Sequence, residues 1–308
     1  MKRGGSHLRI TKMEMTWLII GGTGQLGIAL SRELKKAGMS FSAWGSSDLD
    51  IEDAQKVKEA VANFNPSVIV NCAAWTDVDT AEENEDRAFR INAVGAENVA
   101  IAAKACGAKL IHISTDYVFS GESETAWKID DKSSPNCAYG RTKLAGEEKV
   151  VSAYSERSLL IRTAWLYSPW KKNFLRTVLR LASVNSEQIT MVNDQIGQPT
   201  SAIDLAIRII ELADSPLESG VFHGTNSGAA TWFDFASEIM RLNGDDQLRL
   251  KPVSSSEFVR LASRPKFSVL DHSAWAEYGF LPMQDWKLAL HHTMTILESE
   301  DETGLKHA

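Results

Sequence analysis

The sequence has few cysteines, no long apolar run and no excess of basic residues, and each shortage argues against a class of protein. Its three cysteines in 308 residues, Cys72, Cys106 and Cys137, lack the spacing of a metal site, which favours reduced thiols in a cytoplasmic protein. No apolar run approaches the roughly 20 residues that span a bilayer. A net charge of −7 disfavours nucleic acid or an anionic membrane as a partner.

What the sequence does contain is an alternation of short apolar strands and amphipathic helices. Residues 1–14 precede it, lack the apolar core of a signal peptide, and are expected to form a disordered extension or tag. The alternation predicts an α/β, Rossmann-like fold with a doubly wound parallel sheet and a smaller C-terminal substrate-binding lobe. The expected bounds are 15–168 for the NAD(P)-binding domain, rejoined by 192–226; 169–191 and 227–298 for the lobe; and 299–308 for a frayed tail.

A glycine-rich turn follows the first predicted strand, Thr16–Ile20. Gly21, Gly24 and Gly27 recur every third residue, and a helical pattern begins at once. Glycine permits positive φ and lets the backbone approach a ligand closely. The following helix presents unpaired N–H groups to a pyrophosphate. In this strand–turn–helix context the glycines indicate a dinucleotide site.

The choice of cofactor depends on the end of the second predicted strand, Ser40–Trp44. An acidic side chain there would bind the ribose diol of NAD and repel the additional phosphate of NADP. The chain instead has Gly45, Ser46 and Ser47, with acidic residues only at Asp48 and Asp50. This pattern favours NADPH, with NADH accepted.

A tyrosine and a lysine four residues apart, Tyr139 and Lys143, lie at the start of another predicted helix and share one helical face. The ordinary tyrosine pKa, near 10, suits proton transfer at pH 7 poorly, and we expect the Lys143 ammonium to lower it. Ser114 and Thr115 end an apolar strand at the ligand-binding edge of the sheet, where either could bond a substrate carbonyl.

Several longer blocks identify a family. They are Gly21–Gly27, Leu49–Ile51, Val70–Asp79, Ser114–Phe119, Tyr139–Glu147, Arg162–Tyr167, Asn193–Thr200 and Arg264–Pro265. With these blocks the chain resembles the extended short-chain dehydrogenase/reductase superfamily and, within it, the dTDP-4-dehydrorhamnose reductase family. The match runs from about Thr16 to Leu297.

The resemblance implies roles for individual residues. It implies that Thr115, Tyr139 and Lys143 are catalytic, with Tyr139 and Lys143 also close to the cofactor. The cofactor would contact the glycine turn, including Gly21, and Gly24, Gln25, Leu26, Asp50, Ile51, Ala73 and Ala74. The sugar would contact Val78, Thr115, Asp116, Tyr117 and Trp165. Arg264 is a further candidate, because a guanidinium fork suits the substrate diphosphate.

The chain departs from the family's sequence pattern at two places, and some family members also bind a metal. The family often has Asn-Ser after Arg-Pro, whereas this chain has Lys266 and Phe267, and Cys72 replaces a frequent alanine. Some members hold Mg²⁺ between subunits through glutamates, but no such ligands can be assigned in this sequence. A homodimer is a further expectation.

The implied reaction is reduction of the C4 ketone of dTDP-4-dehydro-β-L-rhamnose by NAD(P)H, which gives dTDP-β-L-rhamnose. One alternative is another nucleotide-sugar 4-ketoreductase or a 4-epimerase. A second is a non-catalytic, cofactor-binding regulatory subunit, related to the partner of methionine adenosyltransferase. The intact set of Thr115, Tyr139 and Lys143 argues against that second alternative.

Overall fold

The computed structural model describes residues 15–184, 188–258 and 260–302. The strands in these residues are β1 (Thr16–Ile20), β2 (Ser40–Trp44), β3 (Val68–Asn71), β4 (Lys109–Thr115), β5 (Ser158–Thr163), β6 (Leu166–Tyr167), β7 (Ile189–Val192), β8 (Ile196–Gly197), β9 (Thr200–Ser201), β10 (Gly220–His223), β11 (Ala230–Thr231) and β12 (Leu250–Val253). The α-helices are α1 (Gln25–Lys36), α2 (Ala54–Phe64), α3 (Val78–Glu83), α4 (Glu85–Phe89), α5 (Ala96–Cys106), α6 (Ala138–Tyr154), α7 (Phe174–Val184), α8 (Ala202–Asp214), α9 (Trp232–Leu242), α10 (Ser273–Glu277) and α11 (Trp286–Glu302). The expected N-terminal extension, 1–14, lies outside the described residues.

Six parallel strands form the main sheet, in the order β10-β5-β4-β3-β1-β2. The chain runs from β1 to β2 on one side and then crosses to β3 on the other side of β1. In doubly wound folds, ligands bind beyond the carboxyl ends of the strands at such a reversal. The predicted Rossmann-like fold is confirmed, and its topology directs attention to the ends of β1 and β3.

The first strand shows why the sheet is buried on both faces. Trp17 and Ile19 pack into a core with α1 and α8, whereas Leu18 and Ile20 pack into a second core with α2, α5 and α6. Alternate strand residues point to opposite faces, so an unbroken apolar strand needs helices on both sides. Each buried side chain of this kind contributes roughly 1.5–3 kcal/mol.

The smaller lobe has a core of its own. Helices α7, α9 and α11 surround buried residues that include Phe235, Leu290 and Met294. Short strand pairs, β7 with β12 and β8 with β11, connect its segments. The helix α11 continues past the expected start of the frayed tail at residue 299, because Glu300 bonds to Arg32 and accepts a hydrogen bond from Trp170 Nε1.

One long helix is predicted over 84–106, and the structure differs there. The chain forms α4, then a π-helical turn over Arg90–Gly95, then α5. π-Helical turns are rare and occur frequently at functional sites. The contacts of Asn92, in the middle of the turn, account for its presence and are described with the site.

Candidate active site

The glycine turn joins β1 to α1 and touches the end of β3. Gly21 has a φ of +81°, and a Cβ on it would lie 2.6 Å from the Ala73 nitrogen. A Cβ on Gly27 would lie 2.5 Å from the Gly21 carbonyl oxygen. Each position accepts only glycine. Because neither residue has a side chain, the turn can pack directly against the end of the sheet.

At Gly24 the surroundings are more open. A Cβ there would approach only the Gly21 carbonyl oxygen among the described residues, at 3.3 Å. Gly24 is also the N-cap of α1 and provides no side-chain cap for the helix. The first N–H groups of a helix lack acceptors within the helix, and they favour an anion. The turn therefore offers a place for a diphosphate.

The next two predicted cofactor residues have different surroundings. The Gln25 Oε1 accepts hydrogen bonds from Ser168 Oγ and Asn173 Nδ2, each at 2.9 Å. Leu26 is buried in the core between the sheet and α1. The main-chain N–H groups of both residues lie in the first turn of α1, where a phosphate could accept from them.

The acidic residues after β2 are engaged in local hydrogen bonds. The Asp48 Oδ2 accepts from the Gly45 N–H at 2.7 Å, and the exposed Asp50 accepts from the Glu52 N–H at 3.0 Å. Ile51 is buried and lies against Gly95, where a Cβ would be only 2.6 Å from it. The Asp48 carboxylate is thus directed at its own turn.

The end of β3 lies against the glycine turn, because Gly21 contacts Cys72 and Ala73. The Asn71 Oδ1 accepts from the Ala73 N–H at 3.2 Å, and Asn71 Nδ2 lies 3.2 Å from His112 Nδ1. Ala73 and Ala74 follow as small residues. Burial raises the pKa of the Cys72 thiol to about 12, against the opposing effect of Lys143. The thiol is therefore protonated at neutral pH.

The three predicted catalytic residues lie on β4 and α6. Tyr139 is in the first turn of α6, and Lys143 follows one turn later. The buried Lys143 Nζ donates to the Ile113 carbonyl oxygen at 2.6 Å. Thr115 ends β4, and its hydroxyl donates to Asp116 Oδ1 at 3.0 Å. The structure thus brings all three residues to the carboxyl end of β4.

The pKa of Tyr139 differs from the expectation that Lys143 would lower it. Burial raises the pKa of the phenol above 10, and the neighbouring Thr115 hydroxyl only partly opposes this. Burial also lowers the pKa of Lys143 to about 8, with the Glu147 carboxylate opposing the shift. Because burial outweighs the Thr115 hydrogen bond, Tyr139 is a protonated phenol at pH 7. The Lys143 ammonium bonds instead to the Ile113 carbonyl oxygen.

The residues after Thr115 extend the site towards the smaller lobe. Burial raises the pKa of the Asp116 carboxyl to about 6, against the hydrogen bond from Thr115. The Tyr117 ring packs edge-on against the Tyr139 ring, with centroids 5.5 Å apart. These two predicted sugar residues therefore adjoin the predicted catalytic tyrosine.

The other predicted substrate residues come from separate segments. Val78 begins α3, and Trp165 follows β5 with a φ of +45°. The Arg264 guanidinium donates to Asp79 Oδ2 at 2.9 Å and to the Ala262 carbonyl oxygen at 3.0 Å. Arg264 is thus already paired with a carboxylate beside Val78, which its sequence position does not reveal.

Asn92 is a positioning residue that the sequence did not disclose. Its Oδ1 accepts from the Trp75 N–H at 2.8 Å, and its Nδ2 donates to the Trp75 carbonyl oxygen at 3.2 Å and to Thr142 Oγ1 at 3.0 Å. A Cβ on Gly146 would lie 2.2 Å from the Asn92 carbonyl oxygen. The π-helical turn therefore fastens α6 to the loop after β3. An asparagine near glycines within a helical pattern is the only signal of it.

A buried ion pair supports the same helix. The Arg162 guanidinium donates two hydrogen bonds to the Glu147 carboxylate, from Nε to Oε1 at 3.0 Å and from Nη2 to Oε2 at 2.8 Å. Both side chains are less than one-tenth exposed. Glu147 follows Lys143 by one helical turn, so the pair fixes α6 against β5 beside Lys143.

The described residues contain neither a cluster of metal ligands nor a membrane-spanning helix. No group of three or more His, Cys, Asp or Glu side chains in 15–184, 188–258 and 260–302 could hold a metal ion, so these residues offer no ligand set for the Mg²⁺ that some family members hold. In the same residues no helix is long and apolar enough to cross a membrane.

Comparison with known proteins adds independent information. A family model described as the RmlD substrate binding domain matches residues 15–299. A dTDP-4-dehydrorhamnose reductase of Streptomyces griseus is 40% identical over 285 residues, which cover 91% of this chain and 93% of that one. A dTDP-4-keto-6-deoxy-D-glucose reductase of Streptomyces niveus is also 40% identical, over 92% of this chain and 98% of its own length.

A solved structure agrees with these relatives. The dTDP-4-dehydrorhamnose reductase of Bacillus anthracis, in complex with NADP, superposes with a TM-score of 0.89 at 37% identity, covering 92% of this chain and all of that chain. The family match and these identities extend over nearly the whole chain, including the blocks around Thr115, Tyr139 and Lys143. The chain therefore belongs to the RmlD substrate-binding-domain family, together with the dTDP-4-dehydrorhamnose reductases that it matches.

Proposed function

We propose that this chain reduces the C4 ketone of dTDP-4-dehydro-β-L-rhamnose with NADPH and so forms dTDP-β-L-rhamnose. The observation that carries the proposal is the meeting of Thr115, Tyr139 and Lys143 at one end of β4, beside an uncapped glycine turn. It is strengthened by the 40% identity to a reductase of this name along nearly the whole chain.

The residues present suit a dinucleotide. Gly24 leaves room above the N-terminus of α1, and the N–H groups of Gln25 and Leu26 would hold the diphosphate. Asp50 and Ile51 would border the adenosine end, and Ala73 and Ala74 would leave room along β3. When bound, NADPH supplies a hydride to the substrate carbonyl carbon.

Tyr139 is proposed as the proton donor. A phenol whose pKa is raised by burial carries its proton at neutral pH, which is the form that a reduction requires. The proton passes from the Tyr139 hydroxyl to the carbonyl oxygen as negative charge develops there. The Thr115 hydroxyl, which lies beside the phenol, orients that oxygen.

Lys143 is proposed to hold the nicotinamide ribose and to stabilise the phenolate that Tyr139 becomes. With a pKa of about 8, Lys143 is mostly an ammonium ion at pH 7. Its bond to the Ile113 carbonyl oxygen fixes the side chain at the end of β4. The remaining N–H groups of the ammonium can then bond ribose hydroxyls.

The preference for NADPH rests on the turn after β2. The Asp48 carboxylate accepts from the Gly45 N–H and is thus engaged within its own turn. Ser46 and Ser47 are exposed, uncharged hydroxyls that can donate to a 2′-phosphate. We expect NADPH to have the higher kcat/KM and NADH to remain a substrate. Comparing the two cofactors at saturating sugar nucleotide tests this preference.

The smaller lobe, built from 169–191 and 227–298, is proposed to bind the sugar nucleotide against the domain of 15–168, which 192–226 rejoins. Val78, Asp116, Tyr117 and Trp165 would contact the sugar, and Arg264 the diphosphate. A homodimer and a cytoplasmic location stay predictions, which light scattering and cell fractionation can test.

A second substrate deserves a direct comparison, because the Streptomyces niveus relative is as similar as the Streptomyces griseus one. The decisive assay follows NADPH consumption with dTDP-4-dehydrorhamnose and with dTDP-4-keto-6-deoxy-D-glucose, with UDP- and GDP-keto-sugars as controls. A higher rate on the first substrate supports the proposal, and a higher rate on the second changes it.

Two other readings have their own tests. A 4-epimerase would retain NAD through gel filtration, whereas this reductase should release oxidised cofactor. A regulatory subunit would bind NADPH normally and oxidise it with none of these keto-sugars.

A further inference from the structure

The block Asn193–Thr200 distinguishes the chain in sequence, yet none of its residues enters the proposed reaction. In the structure this block lies against Trp165. The Thr200 N–H donates to the Trp165 carbonyl oxygen at 3.2 Å, where β6 pairs with β9. A Cβ on Gly197 would lie 2.5 Å from the Trp165 indole, closer than real side chains approach. The block therefore contacts both the main chain and the ring of Trp165.

Trp165 also has an unusual backbone. Its φ of +45° is in the left-handed region, which residues other than glycine seldom adopt and bulky residues adopt least. Such a conformation is strained and persists only where the surroundings impose it. Strain of this kind, two residues after the end of β5, calls for contacts that hold the ring.

A second tryptophan supplies those contacts. The Trp232 ring stacks on the Trp165 ring with 8° between their planes. Trp232 is the first residue of α9. At the start of this helix is a capping box, in which the side chains of Thr231 and Asp234 each accept a hydrogen bond from the main-chain N–H of the other. Thr231 pairs in turn with Ile196, and Ala230 with Gly197, across β8 and β11. One strand pair therefore sets the positions of both Gly197 and Trp232 around the indole.

The stacked tryptophans lie close to the proposed catalytic residues. Thr115 on β4 pairs with Thr163 on β5, so Trp165 leaves the sheet two residues beyond the neighbour of a proposed catalytic residue. We propose that Trp232 and Gly197 are positioning residues, which hold the Trp165 indole against the substrate sugar and thereby set the affinity for the sugar nucleotide. This inference rests on the proposed function, which assigns Trp165 to the sugar.

The first test compares Trp232→Ala with Trp232→Phe. The alanine variant should raise the KM for the sugar nucleotide about five- to tenfold, the equivalent of one aromatic stack, while the Kd for NADPH stays unchanged. Phenylalanine can still stack and should restore most of the affinity. A matched loss of an exposed aromatic ring, Tyr278→Ala, should leave the KM unchanged. An unchanged KM in Trp232→Ala would overturn the proposal.

A double-mutant cycle asks whether Trp232 acts through Trp165. In a Trp165→Ala background, Trp232→Ala should have almost no further effect on the KM. Equal effects in both backgrounds would show that Trp232 acts by another route, and the inference would fail alone. If Trp165→Ala itself leaves the KM unchanged, the assignment of Trp165 to the sugar fails and the inference fails with it.

Gly197→Ala provides a test that removes no aromatic side chain. Its methyl group must displace the indole, so the sugar-nucleotide KM should rise while NADPH binding is retained. Circular dichroism gives a readout without turnover, because two stacked indoles couple their transitions. That coupling should vanish in Trp232→Ala and weaken in Gly197→Ala, and an unchanged spectrum in both would contradict the stacked arrangement.

Discussion

The cofactor side and the sugar side of the site, as proposed above, are built in different ways. The cofactor side consists mainly of main chain from one short turn, in which Gly21, Gly24 and Gly27 act by lacking side chains. The sugar side consists of side chains from distant segments. Arg264 bonds to Asp79 across 185 positions of sequence, and Trp165 stacks on Trp232. The comparison indicates that a main-chain site is specified locally, whereas a side-chain site depends on the assembled fold.

This difference predicts how substitutions on each side should behave. A change in the glycine turn alters a few neighbouring residues and should affect NADPH alone. A change on the sugar side alters contacts between the domain and the lobe and should affect the sugar nucleotide alone. Only the residues where the two sides meet should affect turnover itself.

Tyr139→Phe should have the largest effect, because Tyr139 lies where both sides meet. Removing a proton donor lowers kcat by about 10²- to 10⁴-fold. The Kd for NADPH should stay close to that of the parent protein, since the ring is retained. Stopped-flow measurement of NADPH oxidation, with fluorescence titration of NADPH, checks both values. A variant with full kcat would remove Tyr139 from the proposed chemistry.

Gly24→Val should be next and should act on the cofactor side alone. Its side chain would occupy the space above the N-terminus of α1, and a loss of diphosphate bonds worth 1.5–3 kcal/mol would raise the KM for NADPH about 10- to 100-fold. Gly24→Ala is the graded control and should have a smaller effect, because among the described residues its Cβ approaches only the Gly21 carbonyl oxygen, at 3.3 Å. An equal rise in the sugar-nucleotide KM would contradict the separation of the two sides.

Asp79→Ala should act on the sugar side alone. The substitution removes two hydrogen bonds that the carboxylate accepts, one from the Arg264 guanidinium at 2.9 Å and one from the Ala262 N–H at 3.1 Å. The sugar-nucleotide KM should rise by about tenfold, the lower end of the range for one charge-assisted bond, with NADPH binding retained. The matched control is Glu85→Ala, which removes the exposed pair with Arg141 and should be almost neutral. Equal effects of the two variants would exclude a specific role for Asp79.

The pH dependence should be the smallest effect and concerns both sides. Lys143, with a pKa of about 8, loses its proton as the pH rises through 8, so the ribose bonds weaken and kcat/KM for NADPH should fall. Asp116, with a pKa of about 6, gains a proton as the pH falls through 6, so kcat/KM for the sugar nucleotide should fall there. Profiles measured separately for the two substrates check the assignment. Two identical profiles would contradict it.

Much of the domain could be predicted because its signals are local. The first two strands have the bounds that the sequence predicts, Thr16–Ile20 and Ser40–Trp44. The spacing of Tyr139 and Lys143 likewise requires only one helical turn. Periodicity and turn chemistry are properties of neighbouring residues, so they can be read without the rest of the fold.

The features that could not be predicted depend on contacts between distant residues. The π-helical turn exists because Asn92 bonds to Trp75 and Thr142, which belong to other segments. The raised pKa of Tyr139 follows from burial by the whole site rather than from the lysine one turn away. Likewise, the pairing of Arg264 with Asp79 joins the lobe to α3.

The amino-acid order alone determined the strands and helices, the glycine turn after β1 and the presence of a tyrosine and a lysine on one helical face. Only the tertiary structure decided which charges meet, which groups lose water and which backbone angles are imposed on Trp165. The physical reason is that dihedral preferences and hydrophobic periodicity act between neighbours in the chain. Desolvation, ion pairing and ring stacking act between neighbours in space.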